Sequence, residues 1–208
     1  MPFLGLFIAV VCLFTFFRKR SNRSQENVTD RFWKRESIAN NTRLQDLSGL
    51  PYITIPFDKF PIGMYENDLL KNYENTLQTL SGQKIVNFGT QTNTDLKITY
   101  GTASLPALTE YEQNFTTLCQ TLPAYAGQLF ELGHTDDART ILEYGISIGS
   151  DLSQNYLLLA KIYQSSGENG RIRELLASAE QLDSLMKRSI AEKLTAMLPE
   201  DTANTPVQ

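Results

Sequence analysis

The strongest constraint on the fold is a repetition in the C-terminal half of the chain at an interval of 34 positions. A shift by that interval places apolar on apolar, small on small and glycine on glycine. The matched pairs are Leu122 with Tyr156, Tyr125 with Leu159, Ala126 with Ala160, Leu129 with Tyr163, Gly133 with Gly167, Leu142 with Leu176 and Gly145 with Ala179. Ala138, which falls on Ile172, is the one poor match. A repeat of this length is a single supersecondary unit, which must stack on its neighbours to bury its apolar face.

Within each copy, apolar residues recur at helical spacing on both sides of a glycine, which predicts two helices joined by a short turn. Small side chains at Ala126, Ala138 and Gly145 would let neighbouring helices approach closely, while large ones fill the gaps. A bend is expected at Pro123, which lacks a backbone donor. The predicted helices of this half cover 105–132, 135–148, 153–166, 168–183 and 185–198.

The paired small and large residues and the turn glycines resemble the tetratricopeptide repeat, in two copies over about 119–186. This resemblance implies a mostly α-helical, helix–turn–helix array whose exposed edge is covered by a C-terminal capping helix at 185–198. Ser150 and Ser184 stand where the family usually has a proline between repeats. A generic helical bundle with chance periodicity is the alternative.

The resemblance also implies a binding groove along the inner faces of the first helices. The residues it places there are Gln120, Ala124, Gly127, Phe130, Gln154, Leu157, Leu158 and Lys161. This surface lacks the paired lysines and asparagines with which some members of the family clamp a C-terminal carboxylate. The expected occupant is an extended or helical protein segment with a few apolar anchors. The chain's own residues 47–63 are a second candidate occupant.

The first 17 residues are apolar and uncharged in their side chains, and basic residues follow them. A secretory signal has the opposite polarity, with positive charge first. At 1.5 Å per residue the run reaches about 25 Å, against a hydrocarbon core of about 30 Å; snorkelling basic residues can close that gap. We therefore predict an uncleaved single-pass membrane anchor with the body on the cytoplasmic side. A hydrophobic helix buried in the domain is the alternative.

Charge is divided unevenly along the chain. Of 19 basic and 23 acidic residues, seven and two lie in 18–35, which leaves 12 and 21, a net charge of −9, for 36–208. The acidic body argues against nucleic-acid binding. The residues expected at an anionic membrane surface are Arg18, Lys19, Arg20, Arg23 and the interfacial Trp33. A tether whose charges only fix topology and solubility is the simpler interpretation.

The sequence predicts five segments: an anchor at 1–17, a basic linker at 18–46, an extended segment with a helix that packs on the body at 47–103, the tetratricopeptide-like domain at 104–198 and a disordered tail at 199–208. Three prolines in 47–63 favour extended chain there. Helices are predicted at 29–41 and 65–80, and a short helix capped by Asn93 or Thr94 and ending at Gly101 is preferred to a strand.

Two upstream stretches, "RESIANNTRLQDLSGLPYITIPFDKFP" and "NTDLKITYG", resemble a group of short single-span proteins of clostridial-type Gram-positive bacteria. This second resemblance implies the anchored layout and no particular activity.

The sequence offers no pattern of catalytic chemistry. It has no glycine-rich phosphate loop, no nucleophile elbow and no metal-binding pair at helical spacing. Cys119 has no identified activating histidine, His134 is expected to be solvated in a turn, and Asp136 and Asp137 open a helix where carboxylates suit the dipole. We predict a non-enzymatic, membrane-tethered interaction module without cofactor or metal that binds a protein or peptide. The alternatives are an accessory or structural subunit of a membrane complex and, third, an unrecognised enzyme.

Overall fold

A computed structural model describes residues 29–198 and Phe7. The predicted tail at 199–208 and, apart from Phe7, the predicted anchor at 1–17 lie outside these residues. In the described part, no helix combines the length and the apolar character that crossing a bilayer requires. The chain divides into two compact units, one of residues up to Leu47 with Thr92–Leu105, the other of Ser48–Gln91 with the chain from Pro106 onward. The predicted 47–103 segment is thus divided between the two.

Every regular element within 29–198 is a helix, and none is a strand, which confirms a mostly α-helical chain. The helices are α1 (29–41), α2 (Asp68–Ser81), α3 (Asn93–Tyr100), α4 (Leu105–Glu131), α5 (Thr135–Ser147), α6 (Ser153–Ser165), α7 (Asn169–Glu180) and α8 (Lys187–Ala196), with a 3₁₀ turn at Thr102–Ser104. Helix α4 continues through Pro123.

In the first unit, local signals bound α3. Thr92 and Asp95 form a reciprocal capping box at its start, one residue before the earlier of the two predicted caps. Gly101 ends the helix at φ 87°, where a Cβ would lie 2.5 Å from the carbonyl oxygen of Arg43. Only glycine suits both the left-handed backbone and this close approach.

In the second unit, the chain before α2 was predicted to be extended, but residues 57–60 and 62–65 form turns, and the segment buries apolar side chains in the helical core. Asn67 caps α2 through its side-chain oxygen, which accepts from the backbone N–H groups of Leu69 and Leu70. Helix α5 packs on α6, α6 on α7 and α8, and α7 on α8. The central core members are Ile55, Phe60, Leu70, Leu77, Leu122, Tyr125, Leu129, Ile141, Leu142, Tyr156, Leu159 and Ile190.

The interval found in the sequence returns in the helix boundaries. Helices α4 and α6 end at residues 131 and 165, α5 and α7 begin at 135 and 169, and α6 and α8 begin at 153 and 187, always 34 apart. The turns repeat as well. The backbone N–H of His134 donates to the carbonyl of Leu129 at 2.9 Å, and that of Glu168 donates to the carbonyl of Tyr163 at 2.8 Å.

Helices α5 and α6 are in close contact at Gly145. A Cβ at this position would lie 2.7 Å from Oδ1 of Asn155, whose side chain is fully buried. Nδ2 of Asn155 donates to the carbonyl of Leu142 at 3.0 Å, so the amide is held in place. The small residue that the sequence singled out is therefore required by the packing of these two helices.

Candidate functional site

A groove of the second unit lies between α4 and α6 and has a volume of about 610 Å³. Its lining is Gly127, Phe130, Glu131, Gln154, Leu157, Leu158 and Lys161. Six of the eight groove residues expected from the sequence are thus brought together. Gln120 and Ala124 lie on α4 but do not line it. Glu131 was missed because its charge indicated only a solvated helix face.

Apolar side chains form the walls of this groove, and charge is confined to one cation and one carboxylate. The space above Gly127 is empty, since a Cβ there would have a single neighbour, Cδ2 of Leu158 at an ordinary 3.8 Å. Nζ of Lys161 lies 5.2 Å from the centre of the Phe130 ring, a cation–π distance. Within the described residues, neither Lys161 nor Glu131 has an ion-pair partner.

Residues 47–63 do not occupy the groove, which corrects the second candidate occupant. They pack instead against other faces of the helices. The ring of Phe60 lies 5.4 Å from that of Tyr144 in an edge-on contact, and the Tyr144 hydroxyl donates to the carbonyl of Thr54 at 3.0 Å. The apolar side chains of this segment pack in or against the core, and the groove is left open.

A charged cluster joins α5, α6 and the start of α7. Oε1 of Glu143 accepts from Arg139 Nε at 3.0 Å, from the Tyr163 hydroxyl at 2.7 Å and from Arg171 Nη2 at 3.1 Å. The Arg139 guanidinium also donates both of its terminal nitrogens to Glu168, at 2.8 and 3.1 Å. Because these charges satisfy one another, we interpret the cluster as structural.

The charged cluster predicts that the fold loses stability at acidic pH. Burial acts to raise the pKa of Glu143, but hydrogen bonds from Tyr163 and Arg139 and the two guanidinium charges outweigh it and hold the pKa below the ordinary 4.5. A depressed carboxyl pKa stabilises the fold above the unfolded-state value and loses that contribution as the pH falls through the folded-state value. Urea denaturation between about pH 5 and pH 3 should therefore show a shallower pH dependence for Glu143→Gln than for wild type. Tyr163→Phe should be intermediate. Identical slopes for all three proteins would contradict the assignment.

The remaining candidate residues, Cys119, His134 and Asp137, are buried, stacked on a ring or hydrogen-bonded within the fold. Burial raises the pKa of the Cys119 thiol to about 11, which leaves almost no thiolate near neutral pH. His134, expected to be solvated, is half-buried and stacks on Tyr65 with ring centres 3.6 Å apart. The Tyr65 hydroxyl donates to Oδ2 of Asp137 at 2.6 Å. No group of three or more metal-ligating side chains occurs within 29–198.

Of the residues expected at a membrane surface, Arg18, Lys19, Arg20 and Arg23 lie outside the described residues. Trp33 is placed on α1 with most of its side chain exposed. The function of the groove has to be argued from its own residues. No family model, no curated protein and no solved structure matches this chain.

Proposed function

We propose that the chain is a non-catalytic, membrane-tethered interaction module whose α4–α6 groove binds a segment of a partner protein. The observation that carries the proposal is the open, largely apolar groove of about 610 Å³, a size typical of ligand sites. Six of its seven lining residues were expected from the tetratricopeptide resemblance, and they lie on helices that contribute to a buried core. Sites on rigid elements need little reorganisation on binding, which favours affinity.

A tetratricopeptide-like array is the fold that we assign to the region. The equal spacing of helix boundaries, the repeated turn hydrogen bonds and the position of α8, 34 residues after α6, support this assignment. In such an array α4, α6 and α8 provide one face, and α8 acts as the capping helix. The groove lies on that face.

The groove residues indicate the chemistry of the guest. A bulky apolar side chain would fit against Phe130, Leu157 and Leu158, above the space left by Gly127. Lys161 and Glu131 would orient the segment by pairing with opposite charges on either side of this anchor. A guest of this kind is a short protein segment, extended or helical, with one or two apolar anchors.

The membrane tether is inferred from the sequence alone. Residues 1–17 would hold the body at the cytoplasmic face as a single-pass protein, so that binding in the groove brings a partner to the membrane. The proposal includes no catalytic step, no cofactor and no nucleic acid.

Filling the groove tests the proposal. Random peptides of about ten residues would be selected for binding to the full-length protein in detergent. Gly127→Phe should weaken the selected peptides about tenfold or more, which is about 1.4 kcal/mol, because the ring occupies their site. Gly170→Phe is the matched control, because Gly170 lies in α7 with no atom within 4 Å of a Cβ there. Equal affinity for both variants would place the binding site elsewhere.

A further inference from the structure

Exposed large apolar side chains concentrate near the start of the described chain. Phe32, Trp33, Ile38 and Leu44 are 51, 63, 53 and 67% exposed. Four such residues thus fall within 29–44, against five in all of 48–198. Scattered exposed apolar residues are normal, but the concentration of four within 29–44, two of them in ring contact, indicates a surface that is covered in use.

The exposure is not the result of a loose helix, because α1 is attached to α3 by several side-chain contacts. Ala39 is fully buried. Glu36 accepts from Lys97 Nζ at 3.0 Å and from the Thr94 hydroxyl. Arg35 Nη2 lies 2.5 Å from Oδ1 of Asp95. These contacts hold the helix in place while its exposed apolar side chains remain uncovered.

The aromatic pair is compact. The rings of Phe32 and Trp33 pack edge to face with centres 5.4 Å apart and planes at 74°. Such a pair presents a large apolar surface and keeps the indole N–H able to donate. Tryptophan favours the headgroup level of a bilayer for this reason, since its ring is amphipathic.

The charges in and before residues 29–44 indicate which kind of surface covers the exposed apolar side chains. Residues 29–44 carry Arg31, Lys34, Arg35 and Arg43 against Asp30 and Glu36, and the sequence before them adds four more basic residues against Glu26. The rest of the chain is acidic. Anionic lipid attracts basic side chains by about 1 kcal/mol each near the surface. The same lipid would repel the acidic remainder of the chain.

We propose that α1 lies on an anionic lipid surface, with the Phe32–Trp33 pair inserted at headgroup level and Lys34 and Arg43 near lipid phosphates. The site is separate from the α4–α6 groove and does not depend on a guest there. Trp33 follows the apolar run 1–17 by 16 residues, so a membrane anchor would keep α1 within reach of the bilayer. The unit of α1 and α3 would then hold a fixed face against the membrane.

Trp33 is the sole tryptophan of the chain, so its fluorescence reports this site without a label. Full-length protein would be reconstituted into vesicles of phosphatidylcholine alone or with about 30% phosphatidylglycerol. We expect blue-shifted emission, quenching by brominated lipid and about twofold lower quenching by aqueous acrylamide in the anionic vesicles. The double variant Lys34→Glu/Arg43→Glu should lose most of this difference. Lys71→Glu, the same charge change on the exposed face of α2, should keep it.

Three outcomes would overturn the proposal. Trp33 could remain equally open to acrylamide in both vesicle types. It could be shielded to the same extent without anionic lipid, which would remove the role of charge. It could be shielded without quenching by brominated lipid, which would indicate contact with protein. Far-UV circular dichroism of each variant would establish that the helices are intact in every comparison.

Discussion

Replacing Tyr125 by alanine should lower the free energy of unfolding by about 3–5 kcal/mol, the range for truncating a fully buried aromatic side chain. Tyr125 has no exposed surface and belongs to the cluster that joins α4 to α2 and to Ile55 and Phe60 of the segment before α2. Its hydroxyl donates to Glu74 Oε1 at 3.0 Å, and the Glu74 side chain is itself buried. Urea denaturation followed by circular dichroism measures the change.

The Tyr125 hydroxyl contributes to the free energy of unfolding separately from the ring. Burial and the nearby Glu74 carboxylate raise the pKa of Tyr125, so the phenol stays protonated and remains a donor. Tyr125→Phe would leave that carboxylate short of a partner and should cost about 1–3 kcal/mol. Tyr156→Phe is the control, because Tyr156 is equally buried and its hydroxyl has no hydrogen-bond partner in the described chain. Equal costs for the two variants would contradict a specific Tyr125–Glu74 bond.

Replacing Gly145 by alanine should destabilise the protein by about 1–3 kcal/mol, although alanine is the better helix former by about 1 kcal/mol. The new methyl group would overlap the buried Asn155 amide, which can move only by breaking its bond to the Leu142 carbonyl. The loss should therefore exceed the gain in helix propensity. Equilibrium urea denaturation of both proteins measures the difference.

Gly127→Ala provides the matched control. It also replaces a glycine within a helix, but its methyl group would meet Leu158 at an ordinary 3.8 Å. It should therefore stabilise the protein by up to about 1 kcal/mol. In a double mutant, Asn155→Ala should relieve part of the cost of Gly145→Ala, so the two changes should not add. Stabilisation by Gly145→Ala would show that α5 and α6 are not in close contact.

The helical half was predictable because its signals are local and periodic. A glycine such as Gly133 ends one helix and allows the next to begin, and the 34-residue interval links each copy to its neighbour. The family resemblance that this interval supports also implied six of the groove residues, among them Gly127 and Lys161, which are 34 positions apart on α4 and α6. Glu131 was missed because an exposed charge carries no periodic signal.

The parts of the structure that the sequence did not predict depend on contacts between residues that are far apart in the chain. Leu69 falls at helical spacing with the apolar residues of α2 but is exposed, whereas Glu74 is buried. Its carboxylate is tolerated there because the Gly63 N–H and the Tyr125 hydroxyl donate to it, from 11 and 51 residues away. The stacking of Tyr65 on His134 and the core position of residues 47–63 have the same origin. No helical or strand periodicity reveals such pairings.

The central physical claim is that helices stack in 34-residue steps and leave an apolar groove between α4 and α6. A nuclear Overhauser spectrum of the isotopically labelled protein tests it most directly. We predict cross-peaks from the Gly145 α-protons to the Asn155 side-chain amide and from the Gly127 α-protons to the Leu158 methyl groups. Assigned helices at the same residues without these two sets of cross-peaks would contradict both the stacking and the groove.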